Sequence, residues 1–113
     1  MITQEQVDEL KAQMIEACDK HLAEGGIIAS GAFVSTILDD NDCKCPLGCL
    51  AEGRNYFAKA NKILEVSPDS QCLWDFVEAF DGQYCEYPTM LRQLGQELRA
   101  KYIISLIISH RGT

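Results

Sequence analysis

The chain has 113 residues, 47% of them hydrophobic and 24% charged, which is the composition of one globular domain, here residues 1–113, able to bury a core without staples. Its 17 acids against 10 bases give a formal net charge of −7, which repels a phosphate backbone. The basic candidates (Arg54, Lys59 and Lys62; Arg92, Arg99 and Lys101) are interleaved with acids, so nucleic acid is not an expected partner.

The N-terminal MITQEQVDELKAQ is polar and acidic where a signal peptide is basic and then apolar. A capping box opens the first predicted helix: the Thr3 hydroxyl accepts from the Gln6 amide, and the Gln6 side chain reaches back. Val7, Leu10, Met14, Ala17, Cys18 and Leu22 then recur at helical steps along one apolar stripe. Gly25-Gly26 ends this helix, because glycine takes left-handed angles without steric cost. Residues 27–38, IIASGAFVSTIL, carry no decisive period; a helix or helical turn is the reading taken, a short strand pair its alternative.

A second helix is predicted from Pro46 through CLAEGRNYFAKANKIL, with Leu47, Leu50, Tyr56 or Phe57, Ala60 and Leu64 on a buried face. Proline suits its first position, and Gly48 and Gly53 weaken its start. Ser67-Pro68-Asp69 reads as the cap and first turn of a third helix, with a stripe of Cys72, Leu73, Phe76, Val77 and Phe80 closed by Asp81-Gly82. Pro88 opens the last helix, where Leu91, Leu94, Leu98 and Tyr102 share a face. From Ile103 to Ile108 that helix is apolar nearly all round, which suits burial in the domain or against another subunit. Its longest apolar run, Tyr102 to Ser109, is far short of the ~20 residues that cross a bilayer. The expected fold is all-α, a compact bundle of four or five helices with an irregular or strand-like segment near 27–38. The expected location is cytoplasmic, with no membrane partner and the six cysteines mostly reduced.

Chemistry centres on Cys43, Cys45 and Cys49, which admit three readings. With Cys72, Cys85, His21 or His110 they would supply four zinc ligands, although one Cys-x-Cys without a second knuckle is a poor zinc spacing. If Pro46 is the first helical position, Cys45 caps the helix at the positive end of its dipole, which favours a reactive thiolate against the opposing charges of Asp39, Asp40 and Asp42. The third reading, and the one favoured, is packing: cysteine behaves as a small hydrophobe, and Cys18, Cys49 and Cys72 all sit beside apolar neighbours.

Asp81 and Arg99 are further candidates, as a salt bridge joining the last two helices. Trp74, Tyr84 and Tyr87 read as core filling rather than a contact surface. The acidic run at 39–42 lacks the glycine and glutamate of a calcium loop, and no phosphate-cradling or dinucleotide fingerprint occurs. No cofactor, metal or catalytic set is therefore expected.

GAFVS (31–35), CPLG (45–48), FDG (80–82) and LGQELRAKY (94–102) together resemble a pattern in small bacterial proteins without an assigned function. The resemblance spans 31–102 and implies no activity, but it groups the CPLG turn, the Asp-Gly turn and Arg99. The functional expectation is a non-enzymatic protein that binds a protein partner or itself as a homodimer, relieving the apolar surplus of the last helix. The alternative is a thiol-redox or structural-metal protein using Cys43, Cys45 and Cys49.

Overall fold

Hydrogen-bonded caps delimit the first helix as its sequence requires. The computed structural model describes residues 2–29, 34–35, 43–51, 57–83, 86–87 and 89–111, and of residues 34–35, 43 and 104–111 the backbone alone. Helix α1 (Gln4–Ala23) starts at a complete capping box: Gln6 N–H donates to Thr3 Oγ1 at 3.2 Å and Thr3 N–H to Gln6 Oε1 at 2.9 Å. At its other end Gly25 takes φ +91°, and its N–H donates to Leu22 O while Gly26 N–H donates to His21 O. That pair of bonds satisfies carbonyls the helix would leave unpaired. The stripe buries Val7, Leu10, Met14 and Cys18, and leaves Leu22 exposed.

The segment after α1 corrects the helical reading of 27–38. Ile27–Ile28 is a strand, β1, and Val34–Ser35 a second, β2; residues 30–33 and 36–42 lie outside the described set. Both strands flank β3 (Cys43–Lys44), parallel to β1 and antiparallel to β2. Ile27 stands opposite Cys43, and Ile28 and Val34 opposite Lys44. β-branched residues favour extended backbone, and a two-residue ladder lets Ile28 enter the core while Ile27 faces outward.

The single helix expected from Pro46 is two. Helix α2 (Pro46–Leu50) stops at Ala51, whose ψ of 144° is extended, and α3 (Ala58–Leu64) follows; residues 52–56, with Gly53, are outside the described set. Helix α3 ends on Glu65 in the left-handed region, φ +55°, with Val66 N–H on Asn61 O. The third predicted helix also starts later than Ser67. Ser67 and Ser70 hydroxyls accept from Asp69 and Cys72 amides, holding a turn, and α4 (Cys72–Phe80) begins beyond it. A hydroxyl that bonds its own chain two residues on favours a turn over a cap. Helix α5 (Met90–Arg111) is capped by Thr89, whose hydroxyl accepts from Arg92 N–H at 3.2 Å.

One apolar cluster joins the helices: Leu10 and Met14 of α1, Leu47 and Leu50 of α2, Leu64 of α3, Phe76 and Phe80 of α4, Leu94 and Leu98 of α5. The Cα radius of gyration, 13.7 Å, is close to the ~13 Å expected of a compact chain this long. The fold is all-α with a small three-stranded patch. Helices α4 and α5 approach closely at Gly95, where a Cβ would lie 2.6 Å from Phe76 O. Trp74 and Tyr87 correct the core-filling expectation: Trp74 packs edge-on against Phe57 but is 42% exposed, and Tyr87 is 75% exposed.

Asn61 is the buried polar residue of this core, and among the described residues its Oδ1 has no hydrogen-bond partner. A buried unpaired carbonyl costs about 1–3 kcal/mol, so an apolar residue of similar volume should do better. Asn61→Leu is expected to raise the urea midpoint, by about 1 kcal/mol of stability at unchanged slope. A lower midpoint would mean that Asn61 makes a bond worth more than its burial costs.

Candidate functional site

Helix α1 brings Cys18 to the place where α2 begins, and the three neighbouring thiols there belong to two helices. Cys45 is the N-cap of α2 and Pro46 its first residue, as the sequence implies. Four residues on, Cys49 lies one helical turn further along the same face, half-buried. Beside it lies Cys18, fully buried, and each of the two thiols shifts the proton affinity of the other. The Cys43 side chain and Cys85 lie outside the described residues, so the expected Cys43-Cys45-Cys49 grouping is described only as Cys45 with Cys49, and Cys18 joins them. All four described thiols, Cys72 included, are free.

Electrostatics separates the thiols. Cys49 is held below the ordinary thiol range, first by the hydrogen bond from Cys18 and then by the Lys44 ammonium, with burial opposing. Cys18 is pushed far above it by donating that bond, by burial, and by the charges of Cys49, Cys45 and Asp19. Of the pair, Cys49 is therefore the thiol shifted toward ionisation and Cys18 the one shifted away from it. Burial also pushes Cys45 up, to about 11; the Leu47 and Gly48 amides draw it down without completing a cap bond, and Cys49 and Asp81 push it further up. Cys45 is therefore raised rather than activated, and the favoured packing reading fits the described thiols: Cys18 and Cys45 lie in the core cluster, and Cys49 and Cys72 pack against it. A short helix end cannot offset the desolvation of a sulfur that is 5% exposed.

Cys49 opens on a groove of about 430 Å³ between α1 and the α2–α3 side of the molecule. Glu16, Lys20, His21 and Glu24 supply the α1 wall, and Lys44 and Lys59 the other. A Cβ on Gly26 would overlap the His21 ring, so this glycine leaves room for the imidazole. Behind the thiols, Tyr102 of α5 donates its hydroxyl to Asp19 Oδ1 at 3.0 Å. Burial and the nearby Cys18 raise the Tyr102 pKa, so it stays a donor.

Asp81 stands close enough to Cys45 for its charge to be felt there. Arg99, expected to pair with Asp81, donates Nη1 to the Phe80 carbonyl at 2.8 Å, and its guanidinium lies over Gly82. A cation at the carbonyl end of α4 is favourable, and with Gly82 at φ +87° it secures the Asp-Gly turn. Arg92 is likewise engaged within the chain, 3.4 Å from Asp75 and 3.5 Å from Glu78. His110 lies beyond the described side chains. Among the described residues no group of three or more His, Cys, Asp or Glu side chains is placed to hold a metal ion, and no helix is long and apolar enough to cross a membrane. Sequence reasoning missed the Cys18–Cys49 pairing; the only signal available was that both lie at the edge of an apolar stripe. No protein-family model, curated protein or solved structure matches the chain.

Proposed function

We propose that the protein works through a dithiol, with Cys49 as the attacking thiolate and Cys18 as the resolving thiol, in a reducing location such as the cytoplasm. What supports this is the half-buried Cys49 on the groove wall beside the fully buried Cys18, whose thiol lowers the Cys49 pKa. A low-molecular-weight disulfide RSSR is the oxidant. The Cys49 thiolate attacks one of its sulfurs, forming a Cys49–SR bond and releasing RS⁻. Cys18 then attacks the Cys49 sulfur and passes its proton to the departing second RS⁻. The products are a Cys18–Cys49 disulfide, one RS⁻ from the first step, which takes its proton from water, and one RSH from the second, the protein oxidised by two electrons and the reagent reduced by two.

Oxidation with bis(2-hydroxyethyl) disulfide followed by non-reducing peptide mapping tests this. The expected product joins Cys18 to Cys49; in Cys18→Ala the reaction should stop at the mixed disulfide on Cys49. Oxidation that spares Cys49 while consuming Cys72 would dismiss the reading.

Self-association is a second reading, favoured by the exposure of Leu22 and Ile27 on either side of the turn that ends α1. Of the apolar run from Ile103 to Ile108 that first suggested a homodimer, Ile103 is buried in the core and the other side chains lie outside the described ones. Light scattering decides this: a strict monomer at high micromolar concentration excludes a homodimer at working concentrations.

A further inference from the structure

The walls of the groove differ in charge from the rest of the chain. Across the chain acids outnumber bases 17 to 10, yet beside Cys49 the described charged walls hold Lys20, Lys44 and Lys59 against Glu16 and Glu24, with His21 between them. We infer that the groove takes a small disulfide carrying carboxylates, held over Cys49 by Lys20, Lys44 and Lys59. This rests on the dithiol reading and adds the chemical class of its substrate.

Two geometric facts and one electrostatic one support the inference. The groove, about 430 Å³, falls in the size range of small-ligand sites. Its lysines come from three separate elements, α1, β3 and α3, so they line different sides of the groove rather than one helix face. The Lys44 charge reaches the Cys49 sulfur, which places this lysine within reach of a carboxylate borne near the attacked bond. A concave site with a surplus of one sign of charge, here three lysines against two glutamates, concentrates the opposite ion at low ionic strength. Over the rest of the surface the net charge of −7 does the reverse. Cationic reagents should therefore be preferred by an ordinary cysteine of this chain and anionic ones by Cys49.

The test uses the full folded chain and three aliphatic disulfides: anionic 3,3′-dithiodipropionate, neutral bis(2-hydroxyethyl) disulfide and cationic cystamine. The initial loss of reduced Cys49 is read by mass spectrometry at neutral pH and low salt. Taking the ratio of anionic to cationic rates removes any change in thiolate fraction. The expected ratio exceeds about tenfold relative to the same cysteine in denatured chain, and shrinks in 0.5 M salt. It should also fall at least about threefold in the Lys20→Gln/Lys59→Gln variant, neither residue being the Lys44 that acts on the sulfur. Equal or cation-favouring rates at a reactive Cys49 would overturn the anionic preference and leave the dithiol standing. Failure of Cys49 to react with any of the three would overturn both.

Discussion

Gly95→Ala is expected to destabilise the protein even though alanine is the better helix former. In α5 the exchange gains about 1 kcal/mol of helix propensity. Against that gain, the new Cβ would lie 2.6 Å from Phe76 O, 2.9 Å from Ala79 Cβ and 3.0 Å from Phe80 N. Two of these are backbone atoms of α4 that cannot swing aside, so the helices must separate. Overpacking of this kind costs about 1–3 kcal/mol, and separation also loosens Phe76 and Phe80, both fully buried and stacked at 5.9 Å. The net loss for Gly95→Ala is about 1–2 kcal/mol, and Gly95→Leu is expected not to fold. Urea unfolding followed by dichroism checks both. An unchanged or raised midpoint for Gly95→Ala would show that the helices yield at no cost.

The second large effect is alkaline. Cys45 rises from 9.0 to about 11 on folding, and Cys18 rises as well. A thiol raised in the folded state stabilises it below its unfolded pKa, and that contribution is lost as pH climbs from 9.0. For the buried Cys45 the full loss, complete near pH 11, is about 2–3 kcal/mol, or about 1.4 kcal/mol per pH unit between the two values. Cys49 has the opposite sign: its lowered pKa contributes stability above the ordinary thiol value that disappears as pH falls through its folded pKa. Stability should therefore peak just below pH 9 and decline steeply above it. In Cys45→Ala the whole curve drops because a buried side chain is truncated, but the alkaline limb becomes shallower by about 1.4 kcal/mol per unit. Equal limbs in the two proteins would mean that Cys45 is solvated.

The helices could be read from the chain because their determinants are local. The Thr3–Gln6 box, the glycines at 25 and 82 and the spacing of Leu91, Leu94, Leu98 and Tyr102 each act within one or two turns. Errors arose where distant chain supplies the reason. Ile27–Ile28 is extended because Cys43–Lys44 pairs with it, and no period within 27–38 encodes that partner. The Ser-Pro-Asp sequence fits both a helix cap and a turn; serines 67 and 70 take the second option together.

The site was half legible. Proline after Cys45 placed that residue at a helix start, and the structure agrees. The dipole argument that offered Cys45 as a reactive thiol is outweighed by burial, which only the packed core reveals. Cys49 packs against the core as its place beside Leu50 suggests, while the influence of Cys18, 31 positions away, on its thiol is not encoded locally. Asp81 and Arg99 gather near the same turn, but Arg99 serves a carbonyl rather than a reactant.

Residue-resolved alkylation by iodoacetamide across pH 6–11 probes the pair directly. Cys49 should react fastest, with a midpoint below the ordinary 9.0, while Cys45 stays protected until pH approaches 11. Cys18→Ala should slow Cys49 roughly tenfold near neutrality by removing its donor. A Cys49 that titrates at or above 9.0, and that ignores the loss of Cys18, would contradict the account.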